Sequence, residues 1–206
     1  MKELLKKAVA TAYNYQEYRG LVQHLADNNS TTGAPTEEKI NFTKMNQQRM
    51  NRLDRTLNIT GEEAKIFMNI PQKQIWLVIL ESWCGDGAQT IPLLNKIAEA
   101  TDKIELKIII RDENDEIIDQ FLTNGTRSIP KLIILDEDLE VLDVWGPRSK
   151  EATRLVLEYK KRYGRIDGAF KAQLQLWYNK DKGQNIIREL IKIEDQLKDS
   201  SSALLT

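Results

Sequence analysis

The sequence predicts an α/β protein: a mixed four-stranded sheet with helices on its faces and further helices at both ends. Three observations carry this. Short apolar, β-prone runs stand at 75–80, 104–110 and 131–135. A helical segment separates the first two, so those strands pair parallel. A tight Asp136-Glu137-Asp138 turn separates the third run from 140–145, so that pair is antiparallel.

The elements follow in order. Leu4, Ala8, Ala12, Tyr15, Arg19, Val22 and Leu25 recur at three- and four-residue steps, one helical face with Arg19 as its polar slip. The stretch 28–35, rich in Asn, Ser and Thr and closed by Gly-Ala-Pro, is a loop. A second helix is expected over 36–57, with Ile40, Met50, Leu53 and Leu57 inward. Thr60 and Glu63 form the T-x-x-E capping box of a short third helix that Pro71 ends. The run 75–80 reads as a strand buried on both faces. A helix follows over 86–100 on Ile91, Leu94, Ile97 and Ala98, then a strand over 104–110. A short helix is expected over 114–123, with Asn124-Gly125 as its stop. The hairpin of 131–135 and 140–145 ends at Gly146-Pro147. From Ser149 the chain is helical again, through Leu155, Val156, Tyr159 and Tyr163. Phe170, Leu174 and Trp177 either continue that helix or form another. Residues 184–197 make one more amphipathic helix, and Ser200 onward is expected to fray. The organisation is thus a helical extension (1–73), a core (74–162) and a second helical extension (163–206).

Composition narrows the chemistry. The 206 residues hold one cysteine, Cys84, and one histidine, His24. One cysteine forms no internal disulfide. One Cys and one His cannot supply a zinc site, while 31 Asp and Glu leave carboxylate-only metal sites open; no metal and no cofactor are expected. Net charge is −1, from 30 basic and 31 acidic residues, which gives no general attraction to nucleic acid or anionic lipid. No apolar run reaches the length of a membrane span. Lys2, Lys6 and Lys7 interrupt any apolar leader, so no signal peptide is expected. A cytoplasmic, reducing location and a free thiol are the matching expectations.

One segment carries chemistry: Trp83-Cys84-Gly85-Asp86-Gly87, where the first strand passes into a helix. A thiol at a helix N-terminus faces unpaired N–H groups and the positive end of the dipole. Both favour thiolate, so the Cys84 pKa is expected to fall. A thiolate there can attack a disulfide, a peroxide or an electrophile.

Here the sequence resembles the thioredoxin superfamily, and within it a bacterial thioredoxin-like branch with helical extensions. Residues 83–87 match its W-C-x-x-C segment except at the last position, giving C-G-D-G. Arg127-Ser128-Ile129-Pro130 stands just before the third strand, where the family places its cis-proline. The resemblance spans about residues 74–162 and implies the thioredoxin-like fold. It implies Cys84 as nucleophile, Pro130 as the cis-proline, and a substrate groove of Trp83, Gly85, Asp86, Gly87, Ile129 and Pro130.

Two departures bear on function. The family's second cysteine is Gly87 here, and the buried Asp six residues before the first cysteine is Val78. A dithiol cycle therefore lacks its resolving thiol. One function is monothiol thiol–disulfide exchange at Cys84, resolved by an external thiol; its partner is a protein or a low-molecular-weight thiol or disulfide. The alternative is a non-catalytic binding module, with dithiol oxidoreductase activity lost, that holds a partner's extended chain along 83–87 and 127–130. The apolar stripes of the terminal helices serve as core or as a homodimer face. Asp86 either stabilises the helix start or, close to the thiol, raises its pKa. Trp83 shields the helix start or stacks on substrate. Arg127 bonds its own loop or meets a substrate anion, and Arg111 and Asp112 pair at the surface. His24 is a helix residue. Two basic stretches, around Arg49 and around Lys171, read as solvated faces.

Overall fold

β1 (Gln74–Leu80) occupies the interior of the sheet in the computed structural model, which describes residues 1–203. The strand order is β2-β1-β3-β4. β1 pairs parallel with β2 (Ile104–Ile110) and antiparallel with β3 (Lys131–Asp136). β3 pairs antiparallel with β4 (Val141–Trp145). Strand periodicity explains the apolar runs. Trp76, Val78 and Leu80 enter one buried cluster, and Leu77 and Ile79 enter the other. β3 divides likewise, Leu132 and Ile134 against Ile133 and Leu135. Both faces are covered, so neither set is polar.

The larger cluster packs the sheet against α2 (Tyr15–Asp27), α3 (Glu37–Thr56), α4 (Gly61–Met68), α5 (Gly85–Glu99) and α9 (Gln184–Ala203). The opposite face takes Leu5 and Ala8 of α1 (Lys2–Thr11) with Ile117 and Ile118 of α6 (Asp115–Ile118). A third, separate cluster joins α7 (Lys150–Tyr163) to α8 (Gly168–Asp181) through Val156, Phe170 and Leu174.

The chain corrects three sequence expectations. The face from Leu4 to Leu25 is two helices. Tyr13 exchanges two 2.8 Å backbone hydrogen bonds with Ile108, and Asn14 with Glu17 closes a capping box. The break carries the chain across the edge of β2, so α1 and α2 lie on opposite faces. The 114–123 helix is shorter, a 3-10 turn (Arg111–Glu113) followed by α6. Asn124 and Gly125 both take positive φ and close a bridge between Thr123 and Thr126. An Asn-Gly pair favours such a turn, which withdraws Thr123 from the helix. Ser200 does not begin a frayed tail: α9 continues through Ala203, and the rest of that expectation lies outside the described residues. Phe170, Leu174 and Trp177 form their own helix, because Gly164 (φ 79°) ends α7 and Asp167 caps α8. Among the described residues no helix is long and apolar enough to cross a membrane.

Candidate functional site

β1 delivers the site. It ends at Leu80, residues 81–83 turn, and Cys84 becomes the N-cap of α5. The Gly87 amide donates to Cys84 Sγ at 3.3 Å, and the thiol in turn faces the Ile129 carbonyl at 3.5 Å. The Ile129–Pro130 peptide is cis, as is Gly146–Pro147. Cys84, Gly87, Ile129 and Pro130 are thus brought together. A Cβ on Gly87 would sit 3.4 Å from Cys84 Cβ and 3.5 Å from its sulfur, where a second thiol would meet the first.

The electrostatics run against the sequence expectation for Cys84. The residue is only 7% exposed, and burial pushes its thiol up to about 12. The neighbouring Asp86 carboxylate adds to the rise, while the Gly87 N–H and Arg148 oppose it. The helix terminus lowers the value as expected, but loss of hydration outweighs it. At neutral pH Cys84 is a protonated thiol.

Asp86 does not point at solvent. Its carboxylate pairs with Arg148 Nη2 at 2.5 Å and accepts from the Tyr178 hydroxyl at 2.9 Å. Burial, with Asp86 adding, holds the Tyr178 hydroxyl well above its ordinary pKa, so it remains a donor. Sequence reasoning missed Arg148 and Tyr178. Arg148 follows the Gly146-Pro147 turn, and Tyr178 stands one helical turn from Leu174 on the same buried face; only that periodicity hinted at either.

A second missed cluster fixes the turn before Cys84. Glu81 and Ser82 are buried, and they are met by the 28–35 loop and by α3. Thr32 donates from Oγ1 to the Glu81 carboxylate, and the Asp112 amide donates to it at 2.8 Å. The Ser82 amide donates to Thr32 Oγ1 at 2.9 Å, and Thr31, Thr43 and Ser82 hydroxyls interlink. Asn46 donates to the Ser82 carbonyl at 2.8 Å. Burial raises the Glu81 pKa, opposed by the Thr32 and Asp112 hydrogen bonds. The available signal was an acidic residue closing an apolar strand.

The remaining candidates resolve as follows. Trp83 is half-buried between Lys39 and Arg111, whose charged groups lie 4.9 and 5.2 Å from its ring centroid. Its Nε1 is buried without a hydrogen bond. Arg127 pairs with Asp115 and Asp119, each at 2.6 Å, which ties the proline loop to α6. Arg111 pairs with Asp112 at 2.7 Å. His24 is exposed in the last turn of α2 beside Asn28. Of the basic stretches, Arg52 bonds Asn179 and Lys171 bonds Glu38. Among the described residues no group of three or more His, Cys, Asp or Glu is placed to hold a metal ion.

A family model described as Thioredoxin matches residues 33–163, more than half of the chain. Two solved structures share the fold. An HIV epitope-scaffold is 18% identical with a TM-score of 0.62, covering 93% of this chain and 97% of its own. A protein of unknown function from Pseudomonas aeruginosa is 19% identical with a TM-score of 0.57, covering 89% and 98%. No curated protein matches.

Proposed function

The chain belongs to the thioredoxin family, and from that premise we propose that it is a thioredoxin-fold binding module that performs no disulfide chemistry in this conformation. One observation carries the reading. The only thiol stands at the family's nucleophile position, yet it is buried, protonated and faced by a carboxylate. Gly87 supplies no resolving thiol, so even a mixed disulfide at Cys84 would await an outside thiol. What remains usable is the proline loop: Ile129 meets Cys84, and of the two residues before it Arg127 is exposed and Ser128 half-buried. A partner's extended segment docks there through backbone hydrogen bonds. A reducing, cytoplasmic location fits a single unpaired thiol.

A second reading, monothiol exchange at Cys84, is favoured by the contacts of the sulfur itself. It lies at the head of α5, against the Gly87 amide and the Ile129 carbonyl. Incubation with oxidised glutathione followed by intact-mass measurement separates the two. The module reading expects no adduct and no turnover in a disulfide-reductase assay. An adduct that a second thiol releases establishes the monothiol reading instead.

A further inference from the structure

The shielding of Cys84 is not a property of the family core alone. The matched region ends at residue 163, and α8 lies beyond it. α8 nevertheless covers the head of α5. Tyr178 donates to Asp86, two residues from Cys84, and Gln175 Oε1 accepts from Gln89 Nε2 at 2.8 Å. The Gln175 side chain also lies 3.4 Å from where a Cβ on Gly85 would stand. We infer that α8 is an autoinhibitory strap that keeps the Cys84 thiol covered through the Tyr178–Asp86–Arg148 contact, and that detaching it exposes a reactive thiol.

Three features make the strap detachable. Most of its side-chain contacts with the rest of the fold are polar ones that water can replace: Tyr178 to Asp86, Gln175 to Gln89, Asn179 to Arg52, Lys171 to Glu38 and Asp181 to Asn185, with Lys171 also lying over the Phe42 ring. Its apolar residues Phe170 and Leu174 pack with α7 in a cluster separate from both sheet clusters. The strap is also bounded by positive-φ residues, Gly164 on one side and Lys182-Gly183 on the other. α8 can thus leave α5 without opening the sheet core.

Five ionisable groups act on the site: Asp86 on α5, Arg148 before α7, Tyr178 on α8, Tyr18 on α2 and Arg49 on α3. Tyr18 is fully buried in the larger sheet cluster. Detaching α8 therefore changes the surroundings of Asp86 and Cys84 and leaves Tyr18 in place. The thiol proton then passes to solvent when the thiolate forms.

The test is the rate at which iodoacetamide alkylates Cys84 in the full chain, followed by intact mass. The combined variant Gln175→Ala, Tyr178→Phe, Asn179→Ala removes three of the polar contacts and keeps the α7–α8 cluster. It should alkylate about tenfold faster than wild type near about pH 8. Leu176→Ala, on the exposed face of α8, should leave the rate unchanged. A folded triple variant that alkylates no faster than wild type overturns the strap. If the triple variant does not fold, Tyr178→Phe alone is decisive: a rise of about threefold supports the strap and an unchanged rate overturns it. Failure of the module reading looks different, because wild type itself would then alkylate rapidly.

Discussion

Cys84 shows how two opposed local effects are ranked. A helix N-terminus stabilises a nearby anion by about 0.3–1 kcal/mol at exposed sites, and about 2 kcal/mol when partly buried. Full burial shifts a pKa by up to about 3–5 units, each unit being about 1.4 kcal/mol. Burial wins, and the sequence could not reveal it because exposure depends on distant residues, from Ile129, 45 positions away, to the more remote Arg148 and Tyr178. The folded thiol titrates at about 12, above its unfolded value, so the folded state holds a proton that the unfolded state has lost. Its contribution to stability is whole below the unfolded pKa and falls as pH rises toward about 12. Cys84→Ala should therefore flatten the alkaline limb relative to wild type, by up to about 1.4 kcal/mol per pH unit above about pH 9. Denaturant titrations of both proteins across that range check this; parallel limbs contradict it. Glu194 repeats the logic at a buried carboxyl. Burial lifts it to about 7, with Asp143 and Asp195 adding, while Gln74 donates to one oxygen and the other is unpartnered. Its contribution is whole below the ordinary carboxylate range and is lost as pH rises through 7. Glu194→Gln should raise stability on the order of 2 kcal/mol near pH 8 and change little near pH 5.

At the scale of elements, the strands were the most legible part. Their apolar runs are short, continuous and split between two clusters, so period and length agree. Legibility failed where a local turn overrode helical spacing: Tyr13 pairing with Ile108, and Asn124-Gly125 closing on Thr123. Both depend on a partner or a φ sign that periodicity does not encode. The turn before Cys84 is held by the 28–35 loop, which composition marked only as irregular. Thr32→Val removes the hydroxyl that serves both Glu81 and the Ser82 amide. It should cost about 2–3 kcal/mol, read by chemical denaturation, because two buried polar groups lose their partner. A cost below 0.5 kcal/mol, roughly the level of a neutral surface change, contradicts the pin. Gly87→Cys tests the geometry of the α5 head. The new Cβ falls 3.4 Å from Cys84 Cβ, at the short edge of the separation in a natural disulfide, so a small shift of α5 that also relieves Leu80 Cδ1 at 3.2 Å accommodates the bond. Mild oxidation should remove two hydrogen atoms from the intact mass, which wild type cannot do.

The whole molecule distributes its stability unevenly. Two apolar clusters clamp the sheet from opposite faces, while α7 and α8 share a third of their own. Amides of β1 and β3 should exchange slowest with deuterium, and those of α8 clearly faster than those of α5. The sequence made the thioredoxin-like core visible through the Trp83-Cys84 segment, Pro130 and the strand order. It did not show that the C-terminal extension returns to cover that segment, because Tyr178 meets Asp86 across 92 residues. The central claim is that Cys84 is a shielded, protonated thiol, and the alkylation rate of the wild-type protein against pH tests it most directly. The rate should stay low through neutral pH and rise only toward an apparent pKa near 12. A plateau reached by about pH 9, as for an ordinary or activated thiol, would contradict it.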